Sequence, residues 1–271
     1  MKNIIKILPF LILTFSLIGC IDVHYKMNLK PDGSGTIEET LYMNAAMVQM
    51  IKGFMAMADD STKEEFSLLD EVELRNEAME MGEGVRYVSG EKLEDNGREG
   101  YRALYEFDDV NKIKMDQDVS DKAPSMGEEA EETKEDDITF KFIKGNPATL
   151  TIIMPEDKEE PGLAEETEET EEYENEQDEE WNDEVKGIMK DFRILIQLEV
   201  EGDIVETNAT YVDESTLTLV EMSFDKILEN PEELKKLKAL DDASYEESRE
   251  ILEDIPGVKF ETNEKVTVVF D

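Results

Sequence analysis

The chain has 271 residues, of which 39% are hydrophobic, and 70 acidic against 28 basic side chains give it a formal net charge of −42. Such a chain can bury a core, but its acidity excludes nucleic-acid binding, because phosphate contacts require clustered Lys and Arg. One Cys and one His exclude a disulfide framework, Cys-based zinc sites and multi-His metal sites, so no metal and no soluble cofactor is expected.

The first twenty residues have the features of a secretion signal. Two lysines precede an apolar run over residues 7–18, which is too short to span a bilayer but is typical of a signal peptide. The run ends in Leu17-Ile18-Gly19-Cys20, which resembles the lipobox of bacterial lipoproteins. The resemblance implies removal of residues 1–19, a diacylglyceryl group on the Cys20 sulfur, and an N-acyl group such as palmitate on the new N-terminus.

Lipidation of Cys20 predicts an extracytoplasmic protein held in a bacterial membrane, since two or three acyl chains give stable anchoring. The mature chain would carry no free thiol, which suits an oxidising exterior. Ile21 follows the Cys, whereas Asp at that position retains lipoproteins at the inner membrane of enteric-type bacteria. We therefore expect the outer membrane rather than the inner one. An ordinary signal peptide with an accidental Cys is the alternative.

Alternating apolar and polar residues predict strands joined by tight turns. The first strand covers residues 21–30 and turns at Pro31-Asp32-Gly33-Ser34-Gly35 into a return strand over 36–44. Two further hairpins are predicted around Asp95-Asn96-Gly97 and Gly145-Asn146-Pro147. Later strands are predicted over 192–201, 204–211 and 217–224, and the chain closes with a hairpin of 257–260 and 266–270.

Two helical blocks are predicted between the strands. The first carries an apolar stripe with helical spacing, formed by Met43, Met47, Met50, Phe54 and Met57. A capping box at Thr62 starts a second helix that runs to about Met81. Core packing is the plain explanation of the stripe. The alternative is a groove for an apolar ligand, because Met adapts to ligands of varied shape.

The fold class predicted is α+β, with a curved antiparallel sheet built from hairpins, packed by two helical blocks and interrupted by a disordered acidic insertion. Residues 164–180 hold 11 acids and no base, and self-repulsion predicts disorder there. We expect one domain, composed of residues 20–154 and 184–271 around the insertion at 155–183. Two small domains divided at the insertion are the alternative.

Catalytic patterns are scarce in this sequence. His24 is the only His and lies on the polar side of the first strand, so no triad forms without it. Acid pairs such as Asp108 and Asp109 have the groups that glycoside hydrolysis needs, but with 70 acids adjacent pairs arise by chance. Residues 116–127 begin like a calcium loop but lack the required Gly and Glu. No catalytic residue and no metal ligand is therefore predicted.

Two segments carry a further resemblance. One is Leu29-Lys30-Pro31-Asp32-Gly33-Ser34-Gly35-Thr36-Ile37, and the other spans Gln197 to Phe224 with Glu201-Gly202-Asp203-Ile204-Val205 and Leu217-Thr218-Leu219-Val220. Both segments resemble the LppM family of bacterial lipoproteins. The resemblance implies an extracytoplasmic α+β domain with a curved sheet, attached to the lipid anchor, and a lipid-binding role. The acidic insertion and the closing hairpin are additions to the family pattern.

These observations predict a non-enzymatic, membrane-anchored extracytoplasmic lipoprotein that binds an apolar ligand or a protein partner. Its expected partners are the membrane, through the anchor, and a lipid or another envelope protein. The ligand groove is expected between the sheet and the helix that carries the Met stripe. A carboxylate-based hydrolase of the cell envelope and a purely structural envelope lipoprotein are the alternatives.

Overall fold

The structure is a computed structural model. It describes residues 21–57, 66–116, 137–155, 191–228, 230, 233, 236, 251 and 254–271, and for residues 46 and 54–57 it describes the backbone only. Cys20 and most of the acidic insertion, residues 156–183, lie outside the described residues. In the part of the chain that is described, no helix is both long and apolar enough to cross a membrane.

Strands dominate the described ranges, which confirms the α+β class in its coarse form, with mostly sheet. The helices are α1 (Ala45–Met57), α2 (Glu71–Glu80) and α3 (Phe224–Leu228). The strands are β1 (Ile21–Leu29), β2 (Gly35–Asn44), β3 (Arg86–Asp95), β4 (Arg98–Phe107), β5 (Lys114–Asp116), β6 (Asp137–Ile143), β7 (Ala148–Ile153), β8 (Arg193–Val200), β9 (Ile204–Thr207), β10 (Val212–Asp213), β11 (Thr216–Ser223), β12 (Val258–Phe260) and β13 (Lys265–Phe270).

The larger of two sheets is mixed rather than purely antiparallel. Its strand order is β10-β11-β8-β1-β2-β4-β3, and β12 also pairs with β11. The pairs of β1 with β2 and of β2 with β4 are antiparallel, whereas β1 and β8 run parallel. The predicted antiparallel sheet is corrected here, because β8 enters the sheet beside a strand distant in sequence rather than beside its neighbour in the chain.

Strict alternation in β1 and β2 gives the large sheet a core face and an outer face. Every odd-numbered residue of both strands is buried, and the residues between them are half-buried. Directly opposite pairs such as Ile21 with Met43 and Met27 with Ile37 therefore place both side chains on the core face. The predicted period of two is confirmed for these strands.

The smaller sheet has the order β5-β6-β7-β13-β9 and shares one hydrophobic core with the large sheet. Its buried side chains alternate along β7 and β13, as in Leu150, Ile152, Val266 and Val268. Strands from both sides of the acidic insertion pair within each sheet, since β1 pairs with β8 and β7 pairs with β13. The one-domain organisation stays a prediction.

The hairpins predicted early in the chain form as expected. Between β3 and β4, Asn96 and Gly97 both have positive φ, of 48° and 82°, which suits a tight two-residue turn. The predicted closing hairpin is wrong, because β12 joins β11 while β13 joins β7. At the turn near Gly202, β8 likewise does not pair with β9, which pairs with β13 instead. Each of these turns carries the chain from one sheet to the other.

Both helical blocks differ from the prediction at their N-terminal ends. Met43 is a strand residue of β2, and α1 begins two residues later at Ala45, so the Met stripe is not a single helix face. The second helix begins at Glu71 rather than at Thr62, because the side chain of Asp70 caps it. Thr62 itself lies outside the described residues.

Candidate functional site

A non-helical segment, residues 66–70, crosses the core face of the large sheet between α1 and α2; we call it the strap. All five residues are partly buried, and Phe66, Leu68 and Leu69 pack against the hydrophobic core. The strap separates two cavities, of about 160 Å³ and 220 Å³. We call the smaller one the strap cavity and the other the second cavity.

Local hydrogen bonds hold the strap in its extended path. The Ser67 hydroxyl donates to the carbonyl oxygen of Leu69 over 3.0 Å. The Asp70 carboxylate accepts from the backbone N–H groups of Val72, at 2.7 Å, and Glu73, at 3.2 Å. These bonds satisfy two of the N–H groups that the first turn of α2 leaves open, so helix start and strap position are fixed together.

Gly90 on β3 gives the strap room to approach the sheet. A Cβ atom at this position would lie 2.6 Å from the Leu69 Cδ1 atom and 2.6 Å from the Tyr87 hydroxyl. Both distances are far inside van der Waals contact, so a larger residue would displace the Leu69 side chain. The glycine therefore serves the close packing of the strap on the strand.

The strap cavity has a mixed wall, to which polar and apolar surface contribute about equally. Its lining comes from β2, α1, the strap, α2 and β4, which surround it from different directions. The lining side chains are Leu41, Met43, Ile51, Phe66, Ser67, Leu68, Asp70, Glu73, Leu74, Glu77 and Tyr101. The volume is close to that of a cavity that holds one benzene molecule, about 150 Å³. It is below the range of about 300–1,000 Å³ typical of pockets for larger ligands.

A buried carboxylate lies behind the cavity wall and is surrounded by tyrosines. Glu39, fully buried on β2, accepts hydrogen bonds from the hydroxyls of Tyr101 at 2.7 Å, Tyr105 at 2.9 Å and Tyr25 at 3.4 Å. The Tyr105 hydroxyl also lies 3.2 Å from an oxygen of Glu77 on α2. Tyr101 and Glu77 line the strap cavity, so they connect this buried cluster to it.

The environment of the cluster keeps its tyrosines neutral. Burial, followed by the proximity of Glu39, raises the pKa of Tyr25 and of Tyr101 well above the ordinary value. The same two causes raise the pKa of Tyr105. Neutral hydroxyls remain hydrogen-bond donors, which is the role that a buried carboxylate requires of its neighbours. The cluster is therefore a set of donors arranged around one acceptor side chain.

The structure brings one of the predicted groove residues to the strap cavity. Met43 is 3% exposed and lines the cavity, whereas Met47 is 4% exposed and packs in the core away from it. Met50 is 41% exposed on the surface of α1. The side chains of Phe54 and Met57 lie outside the described residues. The groove stays a prediction, with Met43 at its floor.

The second cavity, on the other side of the strap, is more polar. Lys52 and Lys92 contribute to its wall together with Glu94 and Glu99. The Lys52 Nζ atom lies 3.4 Å from an oxygen of Glu99, so part of this charge is paired across the cavity. The two cavities thus share the strap but differ in the balance of charges around them.

The residues considered for catalysis have structural partners. His24, on the polar side of the first strand, is half-buried on the outer face, and its Nε2 lies 3.2 Å from Gln197 Oε1. Burial lowers the pKa of His24, although the contact with Gln197 raises it. Asp108 pairs with Arg86 at 2.8 Å, and Asp109 caps a short 3₁₀ turn by accepting from the Asn111 N–H. Glu39 and Glu77 both lie within hydrogen-bond distance of the Tyr105 hydroxyl. A hydrolase would need two carboxyl groups that a substrate can reach, and Glu39 is fully buried.

Sequence reasoning missed the strap and the tyrosine cluster. A sequence signal did exist for Glu39, because it occupies an odd, inward-facing position of β2 between Ile37 and Leu41. In the described part of the chain, no group of three or more His, Cys, Asp or Glu side chains converges closely enough to hold a metal ion.

Comparisons with known proteins give one weak likeness. No family model matches the chain, and a search of curated proteins finds no match. Among solved structures, the chain is similar to the folded domain of LppM from Mycobacterium tuberculosis, with 8% sequence identity and a TM-score of 0.31, over 75% of this chain and 82% of that one. This is a weak LppM-like resemblance, and it assigns neither a ligand nor an activity.

Proposed function

We propose that this chain is a lipid-anchored extracytoplasmic binding protein that holds a compact apolar ligand in the strap cavity. The observation that carries the proposal is the cavity itself, a partly open, benzene-sized space at the edge of the core whose walls include Leu41, Met43, Ile51 and Leu74. Apolar side chains that line such a space lack packing contacts on one side. A ligand of matching volume would recover those contacts.

The position of the cavity supports binding rather than simple packing. Its wall combines fixed sheet residues with a strap that has no regular secondary structure, and such a segment can move aside with less loss of hydrogen bonds than a strand. A ligand that entered by displacing the strap would leave the hydrogen bonds between β2 and β4 intact. The lipobox resemblance at Cys20 supplies the membrane attachment of the proposal.

The ligand proposal is tested by titrating the mature chain without its lipid, residues 20–271 with Cys20→Ser, with benzyl alcohol. All the described elements lie within these residues. With methionine methyl groups labelled for NMR, we expect the probe to shift the Met43 signal and leave that of Met79, which is 69% exposed, unchanged. A Met43 signal that stays constant up to the solubility limit of the probe would refute the proposal.

A pair of variants on α2 sharpens this test. Leu74→Trp places a large ring where the cavity is, so we expect it to abolish the shift at Met43. Val72→Trp is the matched control, because Val72 is on the same helix but is 68% exposed. Loss of the Met43 shift in both variants would show that the probe responds to a change in α2 and not to the cavity volume.

Membrane attachment has its own test. In a bacterial host fed labelled palmitate, we expect the full chain to take up label and to sediment with membranes, and Cys20→Ser to do neither. An unlabelled full chain would contradict the anchor and leave the ligand proposal standing.

A further inference from the structure

Within the described part of the chain, the charged side chains that line the strap cavity are all of one sign. Of its described lining residues, Asp70, Glu73 and Glu77 are acids and none is a base. Asp70 is the last residue of the strap, and Glu73 and Glu77 lie about one turn apart on α2. A ligand with an apolar body and a positive charge would therefore meet both carboxylates and hydrocarbon in the cavity wall.

The neighbouring cavity shows that this asymmetry is local and not a mere consequence of the net charge. Lys52 and Lys92 lie in the wall of the second cavity, and Lys52 pairs with Glu99 at 3.4 Å. On α2, Arg75 is engaged by Glu71 at 2.8 Å and lies over the ring of Tyr87. Neither lysine of the second cavity lines the strap cavity, although both cavities share Phe66, Ser67 and Leu68 of the strap.

We infer that the strap cavity selects small organic cations, in which an ammonium group is joined to a compact apolar body. The ammonium group would lie toward Glu73 and Glu77, and the apolar body would lie against Met43, Ile51 and Leu74. The inference rests on the proposed function and specifies its ligand class. Charge complementarity carries it, because the carboxylates attract an ammonium group and repel a carboxylate ligand.

Aromatic side chains in the wall add to the same preference. Phe66 and Tyr101 both line the cavity, and a cation near the face of such a ring is attracted by its quadrupole. Tyr101 remains a neutral phenol, since its hydroxyl donates to Glu39 at 2.7 Å. This hydrogen bond restrains the Tyr101 ring, which forms part of the cavity wall.

The test compares three probes of nearly equal size at fixed ionic strength: benzylammonium, benzyl alcohol and benzoate. Binding to the Cys20→Ser mature chain is followed at the Met43 methyl signal. We expect benzylammonium to bind about five-fold or more tightly than benzyl alcohol, which corresponds to a modest ion-pair contribution, and benzoate not to bind. Equal binding of benzylammonium and benzyl alcohol would overturn the inference and leave the proposed function standing. Failure of all three probes would overturn both.

Variants distinguish the cavity carboxylates from the overall negative charge. Glu73→Gln should remove most of the preference for benzylammonium over benzyl alcohol. Glu80→Gln is the matched control and should keep the preference, because Glu80 is an exposed acid of α2, as Glu73 is, but does not line the cavity. Equal losses in Glu73→Gln and Glu80→Gln would show that long-range charge accounts for the preference, and would overturn the assignment of the site.

Discussion

Glu39 on β2 and Glu221 on β11 are both buried carboxylates of the large sheet, and their surroundings differ in kind. Glu39 lies on the core face, 0% exposed, among the hydroxyls of three tyrosines. Glu221 is 6% exposed and lies on the opposite, outer face. It pairs with Leu195 on β8, which in turn pairs with the outer-face residue His24 on β1, and directly paired residues share a face of the sheet. One carboxylate is therefore stabilised by neutral donors and the other by charges.

The partners of Glu221 are three cations that each reach solvent. Lys259 lies at 2.8 Å, Lys226 at 3.2 Å and Arg193 at 4.0 Å from its oxygens. Burial raises the pKa of Glu221, but the hydrogen bonds and charges of Lys259 and Lys226 outweigh burial and lower the pKa overall. Salt screens partly exposed charges and does not screen hydrogen bonds inside a core. The two sites should therefore respond differently to mutation, salt and pH.

The largest effect is expected for Glu39→Leu. The substitution removes a shared acceptor from three buried hydroxyls, of which that of Tyr105 keeps Glu77 at 3.2 Å. Because unsatisfied buried donors cost about 1–3 kcal/mol each, we expect a loss of about 3 kcal/mol in the free energy of unfolding. Urea unfolding followed by circular dichroism measures it.

Glu38→Leu is the matched control for this substitution, because Glu38 precedes Glu39 but lies half-exposed on the outer face near Arg102. We expect it to cost less than about 1 kcal/mol. Equal losses at the two positions would mean that the tyrosine hydroxyls do not depend on Glu39.

A smaller effect is expected for Glu221→Gln, about 2 kcal/mol at low salt, because hydrogen bonds to a charged partner are lost while the three cations stay solvated. The difference from wild type should shrink in high salt. It should also shrink as the pH falls below the ordinary value for Glu of about 4.3, since a lowered pKa stabilises the fold only while the carboxyl is ionised.

Glu199→Gln gives the reference for an exposed pair, because Glu199 contacts Lys26 at the surface of the same sheet. We expect a loss below about 1 kcal/mol there. If the difference in stability between Glu221→Gln and wild type did not change with salt, hydrogen-bond geometry and not charge would account for the stabilisation at Glu221.

The local part of the fold followed from the sequence, and the non-local part did not. Turn residues and alternation predicted β1 with β2, β3 with β4 and β6 with β7, because in each case the partner is the next strand in the chain. The turns near Gly202 and Asn263 have similar chemistry but separate strands that belong to different sheets. Turn residues predict that the chain changes direction, whereas the burial of apolar side chains determines which strand the next strand pairs with.

The candidate site shows the same limit. Met43 was identified as part of a helical stripe and reaches the cavity as a strand residue, so its inclusion in the site followed from its apolar character rather than from its spacing. Glu39 broke the apolar pattern of β2 and was visible as an exception. The strap was not predictable, because its path depends on Gly90 on β3 and on the cap at Asp70, which meet only after the sheet has formed.

The smallest effect, and the sharpest one for the comparison, is expected from Tyr101→Phe. At neutral pH it removes one hydroxyl donor to Glu39 and should cost about 1 kcal/mol. The native pKa of Tyr101 is raised well above the ordinary value, so above a pH of about 10 the unfolded chain loses this proton while the native chain keeps it. The unfolded state then binds fewer protons, and stability falls as the pH rises.

Tyr101→Phe lacks that titrating group, so its stability should fall less steeply than that of wild type as the pH rises. The difference in the free energy of unfolding between the two proteins, measured with urea, should therefore become smaller from neutral to alkaline pH. Ile37→Val is the matched control, because it also costs about 1 kcal/mol in the core but changes no titrating group. Its difference from wild type should stay constant with pH. If the Tyr101→Phe difference stayed constant as well, the hydroxyl would not be held neutral by its burial beside Glu39, and the contrast with the charge-stabilised site at Glu221 would be lost.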